Sequence, residues 1–148
     1  MSTPHLSRAD CALCRADGGV LLVRRPQVRV VRVEDPDYPV YLRVIWNAHV
    51  TEMSDLAEPD RALLLAAVNV VEKALREILA PDKVNLASLG NQVPHLHWHI
   101  IPRFADDPHF PQPIWAARQR DPSPARLMMC LHALPALTSR LIEFLPER

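Results

Sequence analysis

A chain of 148 residues suffices for one domain with its own hydrophobic core and needs no disulfide framework. Lys and Arg total 17 against 17 Asp and Glu, so no overall field draws the protein to a nucleic-acid polymer or an anionic lipid surface, and any anionic ligand must be held locally. Three unevenly placed cysteines, Cys11, Cys14 and Cys130, exclude a secreted disulfide scaffold. The N-terminus shows no signal-peptide pattern, and apolar stretches such as 62–71 fall short of the ~20 residues of a membrane span, so the expectation is a cytoplasmic protein without a membrane segment.

In chain order, the apolar run 20–23 and the segment 28–33 read as strands joined by a turn at Arg25-Pro26-Gln27, an antiparallel pair. Residues 40–46, rich in β-branched and aromatic side chains, read as a further strand. Pro59 opens a long helix in which Leu63, Leu64, Ala67, Val70, Val71, Ala74, Leu75, Ile78 and Leu79 recur at helical spacing until Pro81. Residues 84–89 resume as a strand, Gly90-Asn91-Gln92 form a turn, and Pro94 leads into a strand carrying His95, His97 and His99, so a hairpin presents these histidines. Pro102, Pro108, Pro111, Pro113, Pro122 and Pro124 then forbid long regular elements and predict an arm or loop. Residues 127–134 and 137–145 have the spacing of two short helices divided by Pro135.

His95-Leu96-His97-Trp98-His99-Ile100-Ile101 holds three of the seven histidines at alternate positions. In a strand, successive side chains point to opposite faces, so the imidazoles line one face and the apolar residues face the core; a helix would scatter them. The spacing alone leaves three readings open. A metal could bind His95, His97 and His99 together, as in a metal-dependent hydrolase. The histidines could be solvated residues of a sheet face. One imidazole could be a nucleophile whose neighbours set its tautomer and stabilise charge.

The run His95 to Ile101 followed by Pro102-Arg103, and preceded by Gly90-Asn91-Gln92-Val93, resembles the histidine-triad (HIT) family of nucleotide hydrolases and transferases. The resemblance extends more weakly over residues 20–104. It implies an α+β domain spanning 1–148: an antiparallel sheet of about five strands with one long helix and shorter C-terminal helices, the core at 20–104 and a proline-rich arm with the C-terminal helices at 105–148. It also implies a homodimer acting at the α-phosphate of dinucleoside polyphosphates of the diadenosine tetraphosphate kind, or of related nucleotidyl conjugates, without an organic cofactor. Carried over by position, His97 is the nucleophile that forms a nucleotidyl-histidine, and His99 bonds the phosphate oxygens. Asn91 and Gln92 offer amide donors, Arg103 is a candidate phosphate partner, and Asp35 a candidate for the ribose. Where family members often carry a fourth histidine, this chain has Tyr41, a hydrogen-bond donor that does not titrate near neutrality.

Cys11-Ala12-Leu13-Cys14 is a C-x-x-C pair without thioredoxin-like context. Some relatives hold zinc with such a pair, a histidine after the central strand and the first triad histidine. The resemblance thus implies a closed, structural zinc site of Cys11, Cys14, His49 and His95, against plain packing of both cysteines. Cys130, Met128 and Met129 are expected in the core, and His5, His109 and His132 have no evident partners. Trp115 is a candidate for stacking on a base or capping a partner's pocket, against simple packing. A nucleotidyltransferase shares the first half-reaction of a hydrolase, and a non-catalytic nucleotide-binding or zinc-stabilised module is the reading from a different class.

Overall fold

The computed structural model describes residues 8–147, so His5 lies outside the described residues. Five strands, β1 (Val20–Arg24), β2 (Val28–Arg32), β3 (Leu42–Trp46), β4 (Lys83–Ala87) and β5 (His97–Arg103), form one sheet in the order β1-β2-β3-β5-β4. Every neighbouring pair is antiparallel, as an α+β fold with hairpin connections requires. The five strands and the long helix follow the predicted order, while the short helix over Ala12–Arg15 is not among the predicted elements.

Because side chains alternate, the sheet has two unlike faces. On one face Val28, Val30, Leu42, Val44, Trp46, Val84 and Ile100 pack against helix α2 (Glu58–Leu79) and helix α3 (Pro124–Phe144), forming the main core. Pro59 sits in the first turn of α2, and Ala80 in a left-handed conformation ends it just before Pro81, which cannot continue it. The opposite face is covered at one end by the short helix α1 (Ala12–Arg15), whose Leu13 packs with Val31 and Ile45, and at the other by Tyr38, Tyr41 and Ile101. Between these covers the sheet is open.

The C-terminal segment departs from expectation, for α3 is one continuous helix through Pro135 rather than two. Proline removes one intrahelical bond at a cost of about 3 kcal/mol, yet Cys130, Leu137 and Leu141 are buried on both sides of it and hold the helix on α2 and β1. As one helix, α3 is long and apolar enough by composition to cross a membrane. Cys130 is buried as expected, whereas Met128 and Met129 are exposed.

The proline-rich arm is ordered around one carboxylate. Asp107 accepts from Arg103 Nε at 2.8 Å and Nη2 at 3.0 Å, from the Tyr38 hydroxyl at 3.0 Å, and from the amides of Phe104, His109 and Phe110. His109 thus has a partner after all, its Nδ1 lying 2.7 Å from the Tyr38 oxygen. Arg103 is 2% exposed and also donates to Asn85 and to the carbonyl of Gln112. Burial alone would raise the Asp107 carboxyl, but Arg103 and the three amides outweigh it and hold the group at about 2, against an ordinary 3.8.

A folded pKa below the unfolded one stabilises above the unfolded value. The contribution of ionised Asp107, about 2 kcal/mol, is therefore lost as pH falls from about 4 to about 2. Asp107→Asn leaves the Arg103 charge buried without its partner and should cost about 3–5 kcal/mol near pH 7. Urea unfolding across pH checks both: the gap between wild type and variant should narrow through that acid window, and a constant gap would contradict the assignment.

Candidate active site and metal centre

The open part of the sheet is a cleft of about 390 Å³ lined by Leu13, Tyr41, Arg43, Leu89, Gly90, Asn91, Gln92, Val93, His97, His99 and Trp115. Register places its chemistry. Arg43 pairs with His99 and Ile45 with His97 across β3 and β5, so these side chains share one face, while Trp98 and Ile100 at the alternate positions turn to the core. His97 Nδ1 donates to its neighbour His95's carbonyl at 2.5 Å. A neutral imidazole has one N–H, so Nε2 is left with a free lone pair. Burial pushes His97 below the ordinary histidine value, partly offset by that bond, and favours this neutral form.

His99 Nδ1 meets the Tyr41 hydroxyl at 2.5 Å. When the phenol donates, the His99 proton resides on Nε2, a donor suited to a phosphate oxygen. Burial, with the proximity of His97 and the charge of Arg43, brings His99 down to about 4, and burial raises the Tyr41 phenol, so both are neutral at physiological pH. The Trp115 indole stands edge-on to His99, with ring centroids 5.3 Å apart, and remains 54% exposed. It closes one side of the cleft instead of packing into the core.

His95 does not belong to this cleft. Pro94 supplies no N–H, the His95 amide bonds back to Val93, and Leu96 pairs with Val50 and Trp46, so β5 begins only at His97. The His95 ring is buried among Cys11, Cys14 and His49, whose four ligand atoms lie within 4.8 Å of one another. Cys11 Sγ and Cys14 Sγ approach His95 Nδ1 at 3.4 Å and 3.5 Å, and Cys14 Sγ approaches His49 Nδ1 at 3.4 Å. A tetrahedron with metal–sulfur bonds of about 2.3 Å and metal–nitrogen bonds of about 2.1 Å has S···N edges of about 3.6 Å, so the donor set fits a metal of that kind. His95 Nε2 donates to the Trp46 carbonyl at 2.6 Å, which frees Nδ1 to face the thiols. The spacing-only alternative of one ion on His95, His97 and His99 fails, because Nδ1 of His97 is bonded to the backbone and His95 faces the cysteines.

The sequence matches the HIT domain over residues 18–106. The chain belongs to the HIT domain family. A histidine triad protein of Bradyrhizobium japonicum is 30% identical, with a TM-score of 0.69 over 88% of this chain and 92% of that one. An AP-4-A phosphorylase of Mycobacterium tuberculosis is 26% identical over 98 residues, covering 62% of this chain and 50% of that protein. The chain therefore spans about half the length of the curated relatives it matches. A Zn-bound histidine triad family protein of Mycobacterium smegmatis shares the fold at 19% identity, with a TM-score of 0.60 over 90% of this chain and 96% of that one.

Within this HIT domain the other expected site residues fall into two groups. Asn91 and Gln92 are exposed on the bend between β4 and β5 and line the cleft. Arg103 does not: it is buried and its guanidinium is engaged by Asp107, Asn85 and Gln112, so the reading of it as a phosphate partner is corrected. Asp35 is likewise outside the cleft lining, its carboxylate accepting the amide of Asp37 in a turn.

Two further arginines shape the site, and no local sequence pattern marks them. Arg29, 3% exposed, donates to the carbonyls of Leu13, Ala16 and Asp17 and to Asn47, clamping α1 and its cysteines to the sheet. Arg43 lines the cleft beside His99. Alternation with Tyr41 and Ile45 put Arg43 on their face in principle, but which face was chemical depended on register with β5.

The bond from His97 to its own strand predicts a tautomer that nitrogen NMR reads directly. In uniformly labelled protein near pH 7, His97 should show protonated Nδ1 and unprotonated Nε2; the reverse tautomer would contradict the Nδ1 bond to the His95 carbonyl.

Proposed function

We propose that this HIT domain is a nucleotide-processing enzyme that hydrolyses dinucleoside polyphosphates, or related nucleotidyl conjugates, at the α-phosphate through a nucleotidyl-His97 intermediate. The observation that carries this reading is the His97 Nδ1 bond to the His95 carbonyl, which leaves Nε2 unprotonated on a side chain lining the cleft. Nε2 attacks the α-phosphorus, the N–P bond forms, the bridging P–O bond breaks, and the remaining nucleotide polyphosphate departs with the electron pair. Water then attacks the same phosphorus, the N–P bond breaks, its electrons return to Nε2, and the water proton is released. Dividing one displacement into two lets the same nitrogen serve both. His99 Nε2–H and the amides of Asn91 and Gln92 are the donors for the equatorial oxygens, where charge spreads as the phosphoryl group loosens.

A second reading is a transferase or phosphorylase in which another acceptor, such as orthophosphate, takes the place of water. It is favoured by the relative named AP-4-A phosphorylase, and it shares the first half-reaction. Incubation with diadenosine tetraphosphate, with and without orthophosphate, separates the two by their products. Quenching at high pH, where a phosphoramidate survives, and measuring intact mass should reveal an adenylyl adduct. His97→Asn should abolish adduct and turnover, by at least about a thousandfold for loss of a covalent nucleophile, and keep nucleotide binding. Retained turnover would sink the mechanism, and binding without turnover in the wild type would favour a non-catalytic module.

Zinc is the metal we assign to Cys11, Cys14, His49 and His95. Two thiolates and two imidazoles make a closed tetrahedral set with no open position, and a metal there supplies cross-linking, tying α1 and the segment after β3 to the residue preceding β5. Elemental analysis of protein never exposed to chelator should find about one zinc per chain. Cys14→Ser should lose it and lower the thermal midpoint, and absence of stoichiometric metal would overturn the assignment.

A further inference from the structure

The described residues contain two well-buried arginines whose guanidinium groups are nearly saturated, Arg29 with four hydrogen bonds and Arg103 with four. Arg43 differs. Its Nη1 donates to the Gly18 carbonyl at 3.1 Å, while its Nε is fully buried with no hydrogen-bond partner. That covered Nε is closed to a ligand, but Nη2 of the same half-buried group makes no hydrogen bond among the described residues either, and an unmet donor there is costly unless water or a ligand meets it. The side chain lines the cleft beside His97 and His99, directly across from His99 in register, with its guanidinium 5.7 Å from the centre of the Tyr41 ring. No carboxylate lines the cleft, so Arg43 is its one fixed charge and meets no opposing one there.

We propose that Arg43 is the anion clamp of the cleft, a substrate-binding residue whose unpaired Nη2 donors take the non-bridging oxygens of the phosphate presented to His97, so that affinity rests on the phosphate rather than on base or sugar. A guanidinium suits this task because its planar fork holds charge and direction together. The chain's total charge balances, which makes a local clamp of this kind the means by which an anion is gathered. The inference rests on the nucleotide reading of the site, and its test uses binding, without turnover, so that the two can fail separately.

Titration calorimetry with adenosine 5′-monophosphate and with adenosine, on wild type, Arg43→Gln and Arg43→Lys, decides it. Arg43→Gln should weaken monophosphate binding at least about tenfold, the effect of losing a charge-assisted bond, and leave adenosine unchanged; Arg43→Lys should recover part of the loss. Wild-type monophosphate binding should weaken with added salt more steeply than that of Arg43→Gln. Equal loss for both ligands, accompanied by a lowered thermal midpoint, would assign Arg43 only to holding Gly18 and overturn the clamp. Unchanged monophosphate binding in Arg43→Gln, or no preference of wild type for the monophosphate over adenosine, would overturn it too. If instead His97→Asn keeps turnover while Arg43→Gln loses the monophosphate, the covalent mechanism falls and the clamp stands.

Discussion

Everything at the site depends on the two-residue period of β5 locked in register with β3. Side chains of a strand alternate, so burying Trp98 and Ile100 against α2 compels His97 and His99 to the other face. A slip of one residue would exchange the chemical and apolar sets, and the main core would then have to accept imidazoles. Core packing and active-site geometry are thus one constraint, enforced by burial on the far side of the sheet.

That far face positions the histidines without covering them, and the open face is shaped by two attachments with separate anchors. The C-x-x-C helix is pinned by Arg29, which gathers carbonyls at its C-terminal end, and by the side chains around His95. The arm is pinned by Asp107, which gathers Arg103, Tyr38 and three amides. Each anchor is a buried charged group supplied with partners nearly to saturation, the condition under which burying charge is tolerable. The cleft survives because neither attachment reaches across it, and Trp115 marks the arm's nearest approach.

The three histidines of one motif consequently do three things. His95 is turned among sulfurs, its Nε2 held by a carbonyl; its own carbonyl in turn holds Nδ1 of His97. The candidate metal site and the proposed nucleophile are therefore neighbours through one residue, His95, which faces the thiols with its ring and holds His97 with its carbonyl. His99 is linked to Tyr41, a phenol that keeps its proton, so the second imidazole is oriented by a neutral partner.

Much of this was readable from residues alone. The alternation of His with large apolar residues specified a strand with one chemical face, the spacing from Pro59 to Pro81 specified the long helix, and the residues around the triad pointed to the HIT family. These are local signals, carried by periodicity and by the special backbone demands of proline and glycine. Other features depended on groups distant in sequence. Arg103 looked like a free strand-end charge because Asp107 is its partner only once the arm folds back, and Asp35 looked available until its carboxylate turned to its own loop. Pro135 looked like a helix end, since local sequence records the lost hydrogen bond but not the burial of Cys130, Leu137 and Leu141 that outweighs it. Arg43 became a site residue only through its pairing with His99. Periodicity decides which face a side chain takes; tertiary structure decides which charges are already satisfied, and so which remain for a ligand.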